Sequence, residues 1–576
     1  MTLPSSTTAL PFTNDRTRKI ASTQGRGIDL AFIFVVAFLS LIALIVWLDN
    51  AEGITGNGVF KAIQAKPWIA NPATAPLDPS NYLYFPFVGA FCRLLDLIDV
   101  FPGDPRRQIT IVNAFSAALC LCTVYIVVRK ITHHRLVAWL AVLFQFACAF
   151  FLNLAISNED IMPAYALLFA SMALACVWFV EPTRWRVAVV AVLFTIAWMF
   201  EWRLMFPTLP AMILALGLGP GRALQRLGRI VLFLGAMAAT AWITVALWGP
   251  HPNNVPSVLD LMWTGKGVVS GWAGFTWRKI GFLWVGMSEY VAGGRNISDF
   301  DAIFMMWREL LISSAMIVFL GSGALIILWR SRQAVDARVL AAVFGITFGA
   351  GEFLNLYSQP QDPQMQINVM AWLAIAWALV VACAMRWRPA ITLATCLAFS
   401  AALLSYNIWQ LLPLRGFDTA WRLSLDRIER SADPARTVFL LHGFEPTISK
   451  MFYHWDGEWN YFATLGPSPS PQTKFKVLAL VSGPVNKSKL APKELADDLQ
   501  HQIEKVMDLG YDVMASDIWD WDLARVESSL STVADREKAE AIYRMLHSKF
   551  TGSPAFSDPL AGSFFKIQRA SRENEK

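Results

Sequence analysis

Runs of ~18 to 25 mostly uncharged residues recur between about residues 28 and 412, separated by short polar connections. Such runs match the length a helix needs to cross the ~30 Å hydrocarbon core of a bilayer, so they predict membrane spans. From Arg415 the pattern changes to charged, polar sequence with short strand-like and helix-like segments, which predicts a separate water-soluble α/β domain over 415–576.

The positions of Lys and Arg order these runs into one path. Arg16, Arg18, Lys19 and Arg26 place the N-terminal tail (1–28) in the cytoplasm, and span 1 (about 29 to 48) exits at Asp49 on the outer side. The segment 82–98 is apolar but broken by Pro86, Arg93 and Asp96, and predicts an interfacial helix on that face. Span 2 (about 109 to 128) returns to Arg129, Lys130 and Arg135, and span 3 (136 to 153) leads out to the acidic turn Ser157, Asn158, Glu159, Asp160. Spans 4 to 6 alternate between Arg184 and Arg186 inside, Glu201 and Arg203 outside, and Arg222, Arg226 and Arg229 inside. Span 7 (230 to 248) opens a second large outer loop, and spans 8 to 11 place Arg330, Arg332, Arg338, Arg386 and Arg388 inside and Tyr357 to Asn368 outside. The path needs about eleven spans in a membrane domain over 29–414, with large outer loops at 49–108 and 249–301, and delivers the C-terminal domain outside the cytoplasm. A true span at 82–98 would put the basic loops outside.

Composition agrees: 55% of the 576 residues are hydrophobic, 24 are Trp and mean hydropathy is +0.43, more apolar surface than a soluble domain hides. The net charge of +6 sits in short loops beside the spans, so it reports topology and implies no nucleic-acid partner. All seven cysteines lie in apolar stretches, which excludes a disulfide framework or Cys-based zinc site in the tail. The first apolar run is too long for a signal-peptide core and lacks a small-residue cleavage site, so it is expected to stay attached.

In the tail, Thr437 to Leu441, Lys476 to Val481 and Tyr511 to Ala515 predict strands, and Pro492 to Leu509 a helix with Leu495, Leu499, Ile503 and Val506 on one face. The segment VFLLHGFE is like the His-Gly turn of α/β-hydrolases, but no G-x-S-x-G elbow accompanies it. His442, Glu445, His454, Asp456 and Glu458, interleaved with Trp455 and Trp459, read as a polar aromatic loop that packs on the membrane domain or contacts a glycan.

On the outer face the path collects Asp49 and Glu52, Glu159 and Asp160, Glu201 with Arg203, and Gln359, Gln361, Asp362, Gln364 and Gln366. Four polar patches at one membrane level predict a single cavity. Glycosyl transfer from a lipid phosphate needs a carboxylate to take a hydroxyl proton and cationic or amide donors for the departing phosphate, and both are available. Each element also has an ordinary structural reading. Asp49 could be a span boundary, Glu159 and Asp160 ahead of Pro163 a helix cap, Glu201 and Arg203 a local ion pair, and QPQDPQMQ a polar turn.

In the order of these features the chain resembles the GT-C superfamily of polyprenyl-phosphate-sugar glycosyltransferases, which includes protein O-mannosyltransferases and aminoarabinose transferases acting on lipid A. Asp49 matches the acidic opening of the first outer loop, DPSNYLYFPFVGAFCRLLDLI its interfacial segment, SNEDIMPAYALLFASMALA its acidic turn, and LYSQPQDPQMQINVMAWLAI its late outer loop. The resemblance covers about residues 29 to 411. Many members have two adjacent acids where this chain has Asp49 and Asn50, which leaves open whether Glu52 or the Glu159 and Asp160 pair supplies the second carboxylate.

The resemblance implies a polytopic α-helical membrane protein in the bacterial inner membrane that moves a sugar, with inversion, from a polyprenyl-phosphate donor to a glycan, lipid or protein acceptor. Asp49 would be the general base, and Glu159 and Asp160 would orient the acceptor. In metal-dependent members these three carboxylates would hold Mg²⁺ or Mn²⁺. Glu52, Tyr84, Glu201, Arg203, Gln361, Asp362, Gln364 and Gln366 would contact substrate, with Lys266, Arg278 or Lys279 as further basic candidates for the phosphate. The rival class is a transporter or flippase of a lipid-linked precursor, which usually shows internal repeats and mid-membrane charges. This sequence shows no repeat, and its polar groups sit at span ends.

Overall fold

The computed structural model describes residues 21–52, 58–75, 78, 81–247, 275, 277–293, 307–331, 335–357, 360, 366–433, 436–441, 476–479, 490–516, 519–520, 522–523 and 533–570. Two compact units divide the chain, Met1–Arg415 and Gly416–Lys576.

The first unit is helical: α1 (Ala21–Leu48), α2 (Gly58–Ala70), α3 (Tyr84–Leu97), α4 (Pro105–Thr132), α5 (Arg135–Ala147), α6 (Ala149–Ile156), α7 (Ile161–Trp178), α8 (Arg184–Phe200), α9 (Met205–Leu218), α10 (Ala223–Leu247), α11 (Arg278–Val291), α12 (Trp307–Ser331), α13 (Val335–Asn355), α14 (Ile367–Trp387) and α15 (Pro389–Leu411). Helices stand at every predicted span position. Among the described residues six are long and apolar enough to cross a membrane, or seven if the bent pair α5–α6 is one span. Pro105 and Pro389 open α4 and α15, where the missing N–H has no intrahelical partner to lose. His133, at φ 56°, closes α4 after Arg129 and Lys130, which suit the negative end of its dipole.

Span 3 departs from the expected straight helix, because α5 and α6 meet at a 69° bend. Cys148 takes an extended conformation there (φ −66°, ψ 131°), which interrupts the helical hydrogen bonds. Asn407 of α15 supplies a replacement partner, donating to Ala147 O at 2.6 Å and to Val291 O, at the end of α11, at 2.8 Å. Broken backbone inside a membrane domain is tolerated where protein groups re-satisfy it.

The connection between α1 and α4 holds a helix beyond the predicted interfacial one. Helix α2 continues through Pro67 and packs against α3, the observed form of the 82–98 segment. Gly89 permits that approach, since a Cβ there would lie 2.7 Å from Trp68 Cβ. At the opposite end of the bundle, Asp29 of α1 accepts from Arg135 Nε at 2.8 Å and from the Tyr125 hydroxyl.

The second unit comprises α16 (Phe417–Ser431), β1 (Thr437–Leu441), β2 (Lys476–Ala479), α17 (Pro492–Asp508), β3 (Asp512–Ala515), α18 (Val533–Lys549), β4 (Phe550–Asp558) and β5 (Gly562–Arg569). Its sheet runs β2-β1-β3-β5-β4, with β1 parallel to β2 and β3, and β5 antiparallel to β3 and β4. Val438 and Leu440 of β1 join the apolar stripe Leu495, Leu499, Ile503 and Val506 of α17, while Phe439 on the other face meets Phe564 at 5.4 Å. Each of these large side chains contributes roughly 1.5–3 kcal/mol by leaving water. Glu494 accepts from Ala491 N at 3.1 Å at the start of α17, and Gly510 follows its end at φ 81°.

Candidate functional site

Three of the connections that the charge pattern assigns to one side, those at 49–52, 157–160 and 201–203, meet at one end of the first unit. Asp49 caps α1 in the left-handed region (φ 48°), its N–H donating to Ile45 O at 3.1 Å. Asp tolerates that conformation better than most residues, and its cost is a form of strain that tends to collect at functional sites. Asn50 then turns the chain by accepting from Glu52 N at 3.0 Å.

Two basic residues at the start of α4 hold these carboxylates. Arg107 pairs with Asp49, Arg106 Nη1 reaches Glu52 Oε1 at 3.4 Å, and Asp104 lies 3.7 Å from Arg106 Nε and 3.6 Å from Arg107 Nε. Asn158 N donates to Ala51 O at 2.8 Å, which ties this corner to the acidic turn. That turn is clamped from α4 by Asn113, whose Nδ2 donates to Ser157 O at 2.7 Å and Glu159 O at 2.6 Å.

Asp160 stands at the start of α7, but its side chain makes no capping bond to the helix; it pairs with Lys61 of α2. The ordinary capping alternative is therefore not what its carboxylate does. Burial works against the Lys61 ammonium, yet the negative charge of Asp160, with Glu201 and Glu159, holds its pKa above the usual lysine value. Burial also opposes ionisation of Asp160, and Lys61 ahead of Arg203 overcomes it, so the carboxyl is held below its usual range.

Glu201 forms the local ion pair that its spacing from Arg203 allows. Its Oε1 accepts Arg203 N at 3.2 Å and Nε at 2.8 Å, and its Oε2 accepts Nη2 at 3.0 Å. The pair also belongs to the larger cluster. With its amide oriented by its neighbours, Asn81 donates to Glu201 Oε2 at 3.2 Å, and Leu83 N donates to Met199 O at 2.9 Å. Tyr84, the next residue, is buried with an unpartnered hydroxyl, and burial, then the negative charges of Asp160 and Glu159, push its pKa well up.

Of the residues read from the sequence, Asp49, Glu52, Tyr84, Glu159, Asp160, Glu201 and Arg203 thus come together. Gln366 is buried elsewhere: its Nε2 donates to Pro360 O at 3.0 Å beneath Gly286 of α11, so its donor end holds the late loop itself. Gln359, Gln361, Asp362, Gln364, Lys266 and the side chain of Arg278 lie outside the described residues, as does the cluster of His442, Glu445, His454, Asp456 and Glu458. Lys279 is half-exposed on α11.

Sequence reasoning missed Lys61, Asn81, Arg106, Arg107 and Asn113. A signal existed for three of them, since Lys61, Arg106 and Arg107 are basic residues on the side that the positive-inside pattern leaves poor in charge.

The carboxylates do not fit a Mg²⁺ or Mn²⁺ site. Hard cations of this type need several converging oxygen ligands, whereas Asp49 and Asp160 are each joined to a basic side chain. Among the described residues no three His, Cys, Asp or Glu side chains converge to hold a metal.

No protein-family model and no curated protein matches this chain. Solved structures do. An oligosaccharyltransferase of Archaeoglobus fulgidus, crystallised with zinc and sulfate, superposes with a TM-score of 0.54 at 13% identity, over 92% of this chain and 72% of that one. ArnT of Cupriavidus metallidurans bound to undecaprenyl phosphate superposes at 0.51 and 12% identity, over 96% and 99% of the two chains. Its apo form gives 0.51 and 12%, over 93% and 98%. The chain thus shares its fold with these solved membrane proteins, in keeping with the fold that the order of sequence features implied.

Proposed function

We propose that this protein transfers a sugar from a polyprenyl-phosphate donor to a hydroxyl acceptor at the outer face of a bacterial inner membrane, with inversion at the anomeric carbon. The observation that carries the reading is the gathering of Asp49, Glu159, Asp160 and Glu201, from three connections far apart in sequence, with Lys61, Arg107 and Arg203 at one end of the bundle. The GT-C fold supports the reaction class, and the undecaprenyl phosphate held by the ArnT of similar fold supports the donor class.

In this reading Asp49 accepts the proton of the acceptor hydroxyl as its oxygen attacks the anomeric carbon, and the sugar–phosphate bond breaks with its electrons passing to the lipid phosphate. Arg107 fixes the direction of the Asp49 carboxylate, and Glu159 and Asp160 orient the acceptor. Cationic donors nearby, Arg203 among them, stabilise charge on the leaving phosphate. In this reading the C-terminal unit contributes to acceptor recognition.

Mass spectrometry of a panel of polyprenyl-phosphate sugars incubated with the purified protein and a folding-matched Asp49→Asn variant tests this. Donor consumption by the native protein that Asp49→Asn abolishes supports the assignment. Consumption unchanged by the substitution moves the base to Glu52, Glu159 or Asp160, and no consumption of any donor rejects the transferase reading.

A further inference from the structure

We propose that the ammonium of Lys61 takes the place a divalent cation would hold beside Glu159 and Asp160, so that the reaction runs without a metal ion. The inference rests on the glycosyl-transfer reading for its catalytic consequence, but its structural half stands apart from it.

An oxygen-lined site for Mg²⁺ or Mn²⁺ needs about six ligands in near-octahedral array. Many of the oxygens within this corner are already committed to protein donors. Asp160 Oδ2 faces Lys61 Nζ, both Glu201 oxygens face Arg203, Asp49 faces Arg107, and Glu52 faces Arg106. Three main-chain oxygens that could complete a coordination shell are bonded as well: Ser157 O and Glu159 O to Asn113, and Ala51 O to Asn158 N.

Lys61 is also held in place from its own side. Its ammonium lies 5.9 Å from the Phe85 ring, and α2 is seated on α3 by the Gly89 and Trp68 contact. Its side chain is 20% exposed against 3% for Asp160, so Lys61 is the more accessible partner of the pair. One fixed positive charge there keeps the carboxylates ionised and oriented, as a metal would, yet no chelator can remove it. Lys61 is on this account a positioning residue acting through Asp160.

The test is a Mn²⁺ titration followed by electron paramagnetic resonance on the purified full-length protein after EDTA treatment, run beside donor turnover. The native protein is expected to show no stoichiometric Mn²⁺ site and no loss of turnover on chelation. Lys61→Met, with the charge removed, is expected to acquire a Mn²⁺ site that the added Asp160→Asn substitution abolishes. Its turnover should fall roughly tenfold or more and recover in part with Mn²⁺. Lys61→Arg keeps the charge and should bind no Mn²⁺.

A native Mn²⁺ site abolished by Asp160→Asn, or native turnover lost on chelation and restored by Mn²⁺, overturns the proposal. So does a folded Lys61→Met with no Mn²⁺ site and native turnover. If Lys61→Met does not fold, the native and Lys61→Arg titrations still decide. If no donor is consumed, the transferase reading falls while the Mn²⁺ titrations still report whether Lys61 fills the cation position.

Discussion

Asn407 of α15 donates to Ala147 O at 2.6 Å, the carbonyl left open where α5 breaks from α6, and to Val291 O at 2.8 Å. One buried amide from the last span thus holds the broken span and the end of α11 together. Asn407→Leu keeps the volume and removes the donor, leaving two buried carbonyls to find other partners. Pairing lost in a membrane bundle is partly made up by rearrangement, so the expected cost is roughly 1–3 kcal/mol. Thermal unfolding in detergent, read by intrinsic fluorescence, should show a clear drop in midpoint; an unchanged midpoint would remove this residue as the tie.

Arg107 and Asp49 act on one another directly, and the proposed mechanism makes them one functional unit. Arg107→Gln should lower donor turnover about tenfold or more through misdirection of the carboxylate. In the Asp49→Asn background the same change should cost little further, because residues that work as a unit are non-additive. Full additivity in the double variant would separate their roles.

The charge and hydropathy pattern carried far here for physical reasons. Spans announce themselves by length and apolarity, and the placing of Lys and Arg groups connections by side; the Ala51–Asn158 and Asn81–Glu201 bonds each join connections that this grouping puts together. The break at Cys148 carried no local mark, because neither Pro nor Gly stands there and the stabilising Asn407 is 259 positions away from that residue. Lys61 went unread for a related reason. Its meaning depends on which carboxylate it meets, and periodicity along α2 does not encode Asp160. In the tail, the strands of the parallel half were legible as short apolar runs. The β4–β5 hairpin was not, since β4, FTGSPAFSD, alternates weakly and lies largely exposed.

Asp558 at the end of β4 gives the C-terminal unit a defined acid sensitivity. Burial alone would raise its pKa, but it accepts from Ser424 and from Arg427 Nε at 2.7 Å on α16, and from Leu560 N at 2.9 Å and Ala561 N at 3.0 Å, so its pKa is pulled down from 3.8 to about 2. The folded value is depressed, so the stabilisation is fully present above pH 3.8 and is lost as pH falls from there through about 2. Hydrogen exchange of the full-length protein, corrected for intrinsic rates, should show α16 and the β4–β5 hairpin losing protection together across that window. Asp558→Asn should show weaker protection at neutral pH and a flatter response to acid.

Gly89 leaves no room for added volume between α2 and α3. A Cβ there would lie 2.7 Å from Trp68 Cβ and 3.0 Å from Trp68 backbone carbon, and backbone cannot swing aside as a side-chain tip can. Overpacking of this kind costs about 1–3 kcal/mol when the structure shifts to relieve it. The shift would fall on α2, which carries Lys61 seven residues before Trp68 on the same helix. Gly89→Ala should therefore lower the unfolding midpoint modestly and lower turnover by a larger factor than that loss of stability explains. A smaller companion change, Trp68→Phe, leaves the Cβ and backbone contacts in place and should not rescue it. Rescue by Trp68→Phe, or native turnover in Gly89→Ala, would show that the seating of α2 does not set the position of Lys61.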